Sequence, residues 1–342
     1  MKITTVGIDL AKNLFQVHGV DERGKTVPKK QLKRDQMMAF FTNLPACLIG
    51  MEACGSAHYW ANKLQRLGHT VKLMAPQFVK PYVKTNKNDV ADAEAICEAV
   101  SRPNMRFVPI KNSEQQAVLA LHRARQGFVK ARTAQANQIR GLLAEHGIII
   151  PKGIAYIGKH LPEILEDGEN GLPGSFRILI KRLGDHLKEL DRHTQELEVQ
   201  IQNWHRDSTA SRKLAKIPGI GPITASALVA SVGDAKNFEN GRQLAAWLGL
   251  VPRQNSSGGK QTLLGISKRG DSYLRTLLIH GARAVLRVAE RQAHQANSWL
   301  AGVMERRNYN VAAVALANKN ARIVWALLAH DREFEADYGA EV

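Results

Sequence analysis

Along residues 3–9 (Ile-Thr-Thr-Val-Gly-Ile-Asp) polar and apolar positions alternate and then turn apolar, which predicts a strand. Residues 13–20 predict a second strand, Asp21-Glu22-Arg23-Gly24 supplies turn chemistry, and residues 25–30 complete an antiparallel meander. Helical spacing follows over 34–43. Short apolar runs at 47–51 and 71–74 predict buried strands, the second ended by Pro76. Residues 57–67 between these runs, and 88–101 after them, predict helices. A meander followed by alternating strand and helix predicts an α/β domain on an RNase H-like sheet.

From residue 113 the period changes. Val118, Leu121, Ile139, Leu142 and Leu143 recur with alanines between and no proline, predicting one long helix over 113–146. Phe176, Leu179, Leu183, Leu187, Leu190 and Leu197 predict a second over 175–206. Between them, glycines and prolines from Gly147 to Gly174 predict a loop-rich connection. Two such helices make either an antiparallel arm within one chain or a dimerising coiled coil, and the spacing leaves both open. Beyond Ser211, helices are predicted for the run to Val232 and for 243–250, 271–291, 295–307 and 310–330, with a flexible Gly/Ser loop at 255–259. The expected organisation is an α/β part over 1–110, a long-helix arm over 111–208 and an α-helical part over 209–342.

Charge changes the picture more than composition does. The 342 residues carry 48 Lys+Arg against 31 Asp+Glu, a formal net charge of +17. A fold does not need that excess, whereas a polyanionic partner does, because each cation placed on a phosphate releases a counterion. The excess is strong over 101–150, with eight Lys/Arg against two Asp/Glu. Cys47, Cys54 and Cys97 form no CxxC pair, so neither a zinc site nor a disulfide framework is suggested, which fits a reducing cytoplasm. No signal peptide is read at the N-terminus, and no uninterrupted apolar stretch reaches the length of a membrane span.

Four carboxylates stand in informative places. Asp9 and Glu52 end apolar strands, where a charge is costly unless something neutralises it. Asp89 and Asp92 are spaced i, i+3 at a helix start, so both face one way, although Asp89 could be a helix cap. Converging carboxylates repel one another, and two Mg²⁺ ions would offset the repulsion and could clamp the attacking and leaving oxygens of a phosphodiester.

Two further motifs suit nucleic acid. Ile217-Pro218-Gly219-Ile220-Gly221-Pro222 resembles the turn of a helix-hairpin-helix module. There Gly219 and Gly221 would let the backbone approach a phosphate at the start of the next helix. An ordinary corner between core helices fits the same residues. Ser256-Ser257-Gly258-Gly259-Lys260 is followed by Lys268, Arg269 and Arg275. A serine among cations could attack a phosphodiester, though a plain linker fits as well.

Taken in order, Gly7-Ile8-Asp9-Leu10-Ala11-Lys12, Met51-Glu52-Ala53-Cys54-Gly55, Asn88-Asp89-Val90-Ala91-Asp92-Ala93, the Ile217–Gly221 hairpin and Ser257-Gly258 resemble the DEDD transposases of bacterial insertion sequences. These form the insertion-sequence 110 family with its 1111 subgroup, related to the pilin-gene invertases. The resemblance spans almost the whole chain. It implies a RuvC-like N-terminal domain, a central coiled coil and a C-terminal transposase domain. It implies that Asp9, Glu52, Asp89 and Asp92 bind Mg²⁺ and that Ser257 is the nucleophile joined covalently to a DNA end, able to complete the metal site of a neighbouring subunit. Ser256 beside it is the one ambiguity, and alignment to Gly258 favours Ser257. Guidance by a structured bridge RNA is implied too, with sequence choice delegated to base pairing.

The expectation is therefore a Mg²⁺-dependent, RNA-guided DNA recombinase of a mobile element, cytoplasmic and nucleoid-associated in a bacterium. It would work as a dimer or tetramer on donor and target DNA. Gly219, Gly221, Lys260, Lys268, Arg269 and Arg275 are its expected nucleic-acid contacts. Two alternatives stay open: a hydrolytic RuvC-like junction nuclease that uses water, and a non-catalytic basic DNA-binding protein.

Overall fold

The meander forms strands β1 (Ile3–Leu10), β2 (Leu14–Asp21) and β3 (Thr26–Lys33), paired antiparallel. Helix α1 (Gln36–Thr42) leads to β4 (Leu48–Glu52), α2 (Ala57–Arg66) to β5 (Thr70–Met74), and the short α3 (Pro76–Val79) to α4 (Asp89–Val100) and β6 (Phe107–Val108). The sheet order is β3-β2-β1-β4-β5-β6, with β1–β4 and β4–β5 parallel. This is the mixed α/β sheet expected from the sequence. In this computed structural model, which describes residues 2–84, 86, 88–291 and 298–335, the chain packs as two units, Met1–Glu114 and Gln115–Val342.

Within the first unit, one face of the sheet carries Phe15, Ile49 and Met51 in a core shared with Met37 and Phe41 of α1 and Trp60 and Leu64 of α2. Helix α4 covers the other face so closely that a methyl group on Gly7 would meet the Ala93 carbonyl oxygen at 2.3 Å. One on Gly50 would meet Val100 Cβ at 2.7 Å. Glycine at these two positions lets the helix backbone lie on the strands.

The second unit begins with two long helices, α5 (Ser113–Ala144) and α7 (Gly174–Asp207). Arg125 pairs with Glu198, Phe128 stacks on His193 and Arg132 pairs with Asp191, so the two run antiparallel within one chain. The connection predicted as loop is instead partly helical: α6 (Ile154–Glu166) forms despite Pro162 inside it. Its reason is tertiary. Ile157 and Leu161 pack into a core with Ile139, Leu143, Ile180 and Leu187. Leu161 sits where a Cβ on Gly184 would be, 2.3 Å from its Cδ2. Arg177 then ties down the end of α6, donating to the carbonyls of Ile164, Leu165, Asp167 and Leu172.

The remaining elements are α8 (Thr209–Leu214), α9 (Pro222–Val232), α10 (Gly241–Trp247), a hairpin of β7 (Pro252–Gln254) and β8 (Leu263–Ile266), α11 (Ser272–Arg291), α12 (Ser298–Arg306) and α13 (Tyr309–His330). The predicted helix at 243–250 is shifted to Gly241–Trp247 because Asn240 caps it through the Gln243 amide. For the helix predicted over 295–307, residues 295–297 lie outside the described residues. Helix α13 is long and apolar enough to cross a membrane by length and composition. Its Ala313, Leu316, Ala317, Val324 and Leu327 pack in one core with Leu228, Leu244, Leu274 and Leu278.

Candidate metal centre and nucleic-acid surfaces

Strand register brings the first two carboxylates together. Ile8 lies opposite Met51 on the parallel neighbours β1 and β4, so Asp9 and Glu52 reach the same level of the sheet at its carboxyl edge. Two residues after Gly7 and Gly50, they share the face that α4 covers. The N-terminus of α4 lies at that edge. Asn88, not Asp89, caps the helix, its Oδ1 accepting from the Val90 amide at 2.9 Å. Asp89 and Asp92 occupy the first turn, where the positive end of the helix favours them.

Asp9, Asp89 and Asp92 each offer an oxygen, and all three atoms lie within 4.8 Å of one another. Glu52 stands outside that triplet. It is half-buried, and its pKa is raised by burial first and then by the charges of Asp9 and Asp92. Hard oxygen donors converging at this spacing suit a divalent cation such as Mg²⁺. A sequence signal for the arrangement was present but unused: Gly7-x-Asp9 and Gly50-x-Glu52 repeat one device, a glycine that admits the helix two residues before a carboxylate that faces its end. Sequence reasoning also missed Ser56, which precedes α2 at φ 67° and turns the chain out of the Glu52 loop.

A raised carboxylate pKa means the folded state binds the proton more tightly than the unfolded state. Its stabilising contribution is present at low pH and is lost as pH rises through the folded value. Glu52→Gln is therefore expected to raise Tm by about 2 °C in chelator at pH 7 and to leave it unchanged near pH 4. Mg²⁺ should raise the wild-type Tm at pH 7 and raise that of the variant less. Differential scanning fluorimetry across pH, with and without Mg²⁺, reads both effects, and equal Mg²⁺ responses would remove Glu52 from the metal set.

In the second unit the Ile217–Pro222 segment joins α8 to α9. Gly219 has φ 86°, and a Cβ there would meet the Gly281 carbonyl oxygen at 2.8 Å, so this glycine serves close packing on α11. Gly221 precedes Pro222 at the start of α9 and has open space around its Cα. His122 bridges Tyr273 Oη (3.0 Å) and Ser226 Oγ (3.1 Å), fastening α9 to α5 and α11. Burial lowers its pKa to about 4, so it stays neutral. Lys213 and Lys216 beside the turn pair with Asp331 and Glu333 at 2.6 Å each.

The expected flexible serine loop is the tip of the β7–β8 hairpin. Gly258 and Gly259 have φ 54° and 78°, and the Lys260 amide donates to the Ser257 carbonyl at 3.0 Å. Two consecutive positive φ values match a tight two-residue hairpin turn, which glycine pairs favour. Ser256 Oγ accepts from the Thr262 amide at 3.4 Å, whereas Ser257 is exposed at the tip. Lys260, Lys268 and Arg269 are exposed, while Arg275 is half-buried and donates to the Leu248 carbonyl.

Comparison with known proteins finds matches in both halves of the chain. Residues 6–148 match the DEDD transposase family model of the IS110 type, and residues 211–297 match the transposase IS116/IS110/IS902 family. A Pseudomonas aeruginosa protein called "Probable family 20 transposase" is 55% identical over 97% of this chain and 98% of its own length. The transposase for insertion sequence element IS1111A of Coxiella burnetii is 45% identical over 97% of this chain and 91% of its own. More distantly, the pilin gene-inverting protein of Moraxella bovis is 26% identical over 81% of each chain.

Proposed function

This chain belongs to the IS116/IS110/IS902 family of insertion-sequence transposases, and we propose that it is a Mg²⁺-dependent, RNA-guided recombinase that exchanges DNA strands through a serine-linked intermediate. One observation carries the proposal: three carboxylate oxygens within 4.8 Å at the carboxyl edge of a mixed sheet, with the Glu52 pKa raised by burial and then by Asp9 and Asp92. Asp9, Glu52, Asp89 and Asp92 hold the metal, probed most simply as two Mg²⁺ ions. Bound there, Mg²⁺ supplies charge neutralisation for the scissile phosphate and its oxygens. Asp89 and Asp92 stand in the first turn of α4, and Asn88 fixes the helix start that orients them.

Ser257 is the nucleophile of this reading. Its place at an exposed hairpin tip supports it, as does the engagement of the Ser256 hydroxyl with Thr262. Lys260, Lys268 and Arg269 offer cations to the phosphate backbone, and Gly221 with the first amides of α9 offers a second backbone contact. The large positive excess suits a structured bridge RNA bound by shape and backbone, alongside donor and target duplexes. The working form is a dimer or tetramer acting in the bacterial cytoplasm on the nucleoid. We further propose a three-part chain, with 1–110 as the RuvC-like catalytic part, 111–208 as a coiled-coil arm and 209–342 carrying the helix-hairpin-helix and serine loop.

The test combines the full chain with end-labelled donor and target DNA, RNA transcribed from the element's own non-coding end, and Mg²⁺. Recombined strands are expected only when protein, RNA and metal are all present. Identical products without RNA would remove guidance, and free cleaved ends without strand joining would favour a hydrolytic junction nuclease.

A further inference from the structure

Beside the carboxylate edge the first unit has an open cavity of about 770 Å³ lined by Asn13, Leu14, Arg34, Asp35, Tyr59 and Trp60, with Lys33 and Met38. Its walls come from segments that follow the acidic residues along the chain. Asn13 and Leu14 lie just after the strand that ends beyond Asp9, and Tyr59 and Trp60 lie in the first turn of α2, entered from the Glu52 loop. The strand pairing Leu14↔Lys33 brings the end of β3 to the same rim.

The lining is unusual for a protein surface facing water alone. Tyr59 is 47% exposed and Leu14 46%, side by side with cations. The Arg34 guanidinium stacks over the Trp60 ring at 5.3 Å and also donates to the Lys12 carbonyl, which fixes it at the rim. Lys63 lies over the Tyr59 ring at 5.8 Å. Trp60 is 3% exposed and packs edge-on against Phe15, yet its Nε1–H has no hydrogen-bond partner among the described residues. Asp35 adds an acceptor at the start of α1, and Asn13 offers both kinds of group.

Aromatic faces interleaved with cations are the chemistry that holds single-stranded nucleic acid, with bases on the rings and phosphates on the cations. The volume is in the range of small-ligand sites and has room for one nucleotide. We propose that this cavity takes an unstacked base of the DNA strand whose phosphate lies on the carboxylates. Tyr59 is the stacking platform, Lys33 and Arg34 receive the flanking phosphates, and Asn13 and Asp35 meet the edge of the base. Strand exchange requires the duplex to open at the cut, which supplies such a base. The choice of DNA rests on the reading of the carboxylates as the cleavage centre, whereas the pocket itself stands on its own residues.

Binding is tested apart from cleavage, with the full chain in EDTA. A 12-nucleotide single-stranded DNA carrying one 5-iododeoxyuridine is irradiated with the protein, and the crosslinked peptide is sequenced by mass spectrometry. Attachment within 33–38 or 57–63 is expected. By fluorescence anisotropy, Tyr59→Ala should weaken single-stranded DNA about 10-fold and duplex DNA less than twofold. Tyr156→Ala, an equally exposed tyrosine elsewhere, should change neither. Crosslinks confined to other peptides would overturn the pocket. Equal losses on single strand and duplex would overturn base recognition, and tighter binding of the matching RNA oligonucleotide would overturn DNA as the occupant. Loss of cleavage in other experiments bears on the catalytic reading and leaves this result intact.

Discussion

Asp9→Asn is expected to lower DNA strand cleavage by about 10³-fold or more while leaving DNA affinity within a few-fold of wild type. The factor corresponds to about 4 kcal/mol of transition-state stabilisation. The substitution is isosteric, and Asp9 sits on a strand whose hydrogen bonds to β2 and β4 do not involve its side chain. It removes the charge of one of the three carboxylates whose oxygens lie within 4.8 Å, and with it one of the charges that raise the Glu52 pKa. The thermal melt of the apo variant separates lost activity from unfolding. Binding of DNA depends on cations spread over both units and should survive. A denaturing gel of end-labelled DNA, run beside anisotropy and a thermal melt, separates the three quantities. Wild-type cleavage by the variant would end the metal-centre assignment.

Why this centre was legible in the sequence, when other parts were not, follows from the range of the interactions that build each. β1 and β4 announce themselves by local pattern, and a carboxylate at the end of such a run is visible without any partner. The Asp89 and Asp92 pair is equally local, because i, i+3 spacing fixes a shared face. Their meeting is not local. It depends on α4 lying across β1 and β4, and only the contacts at Gly7 and Gly50 reveal how closely it does so. The same difference explains α6. Its flanking Gly153, Gly168, Gly171 and Pro173 and its internal Pro162 all argue for loop. What holds it as helix is Leu161 seated on Gly184 and Arg177 clasping its end, partners far along the chain. The hairpin tip was misjudged for a different reason: Gly258-Gly259 suits a tight turn, but 252–254 and 263–266 are too short and too polar or irregular to signal strands. The aromatic cavity left no periodic trace, since its walls come from three separated segments.

Ser257→Ala should abolish the covalent protein–DNA adduct and reduce strand exchange by at least about 10³-fold, with Tm and DNA affinity unchanged. In the proposed step the Ser257 oxygen forms a bond to phosphorus as the bond to one deoxyribose oxygen breaks. The serine proton passes to a base and the leaving oxygen takes up a proton. Bond energy is kept in the phosphoserine, so a second DNA hydroxyl can reverse the reaction without another energy source. Alanine removes the attacking oxygen and nothing that supports the fold, because Ser257 is exposed and its structural hydrogen bond is the one its backbone carbonyl accepts from the Lys260 amide. Ser256→Ala supplies the control. It loses the weak bond from the Thr262 amide and should keep both adduct and exchange. Labelled DNA incubated with each protein, boiled in detergent and resolved on a gel shows the adduct as a band of protein mass that protease removes. An adduct in Ser257→Ala but not in Ser256→Ala would move the nucleophile by one residue. Cleavage of equal extent in all three proteins, with no adduct in any, would make water the nucleophile and leave the four carboxylates to act alone.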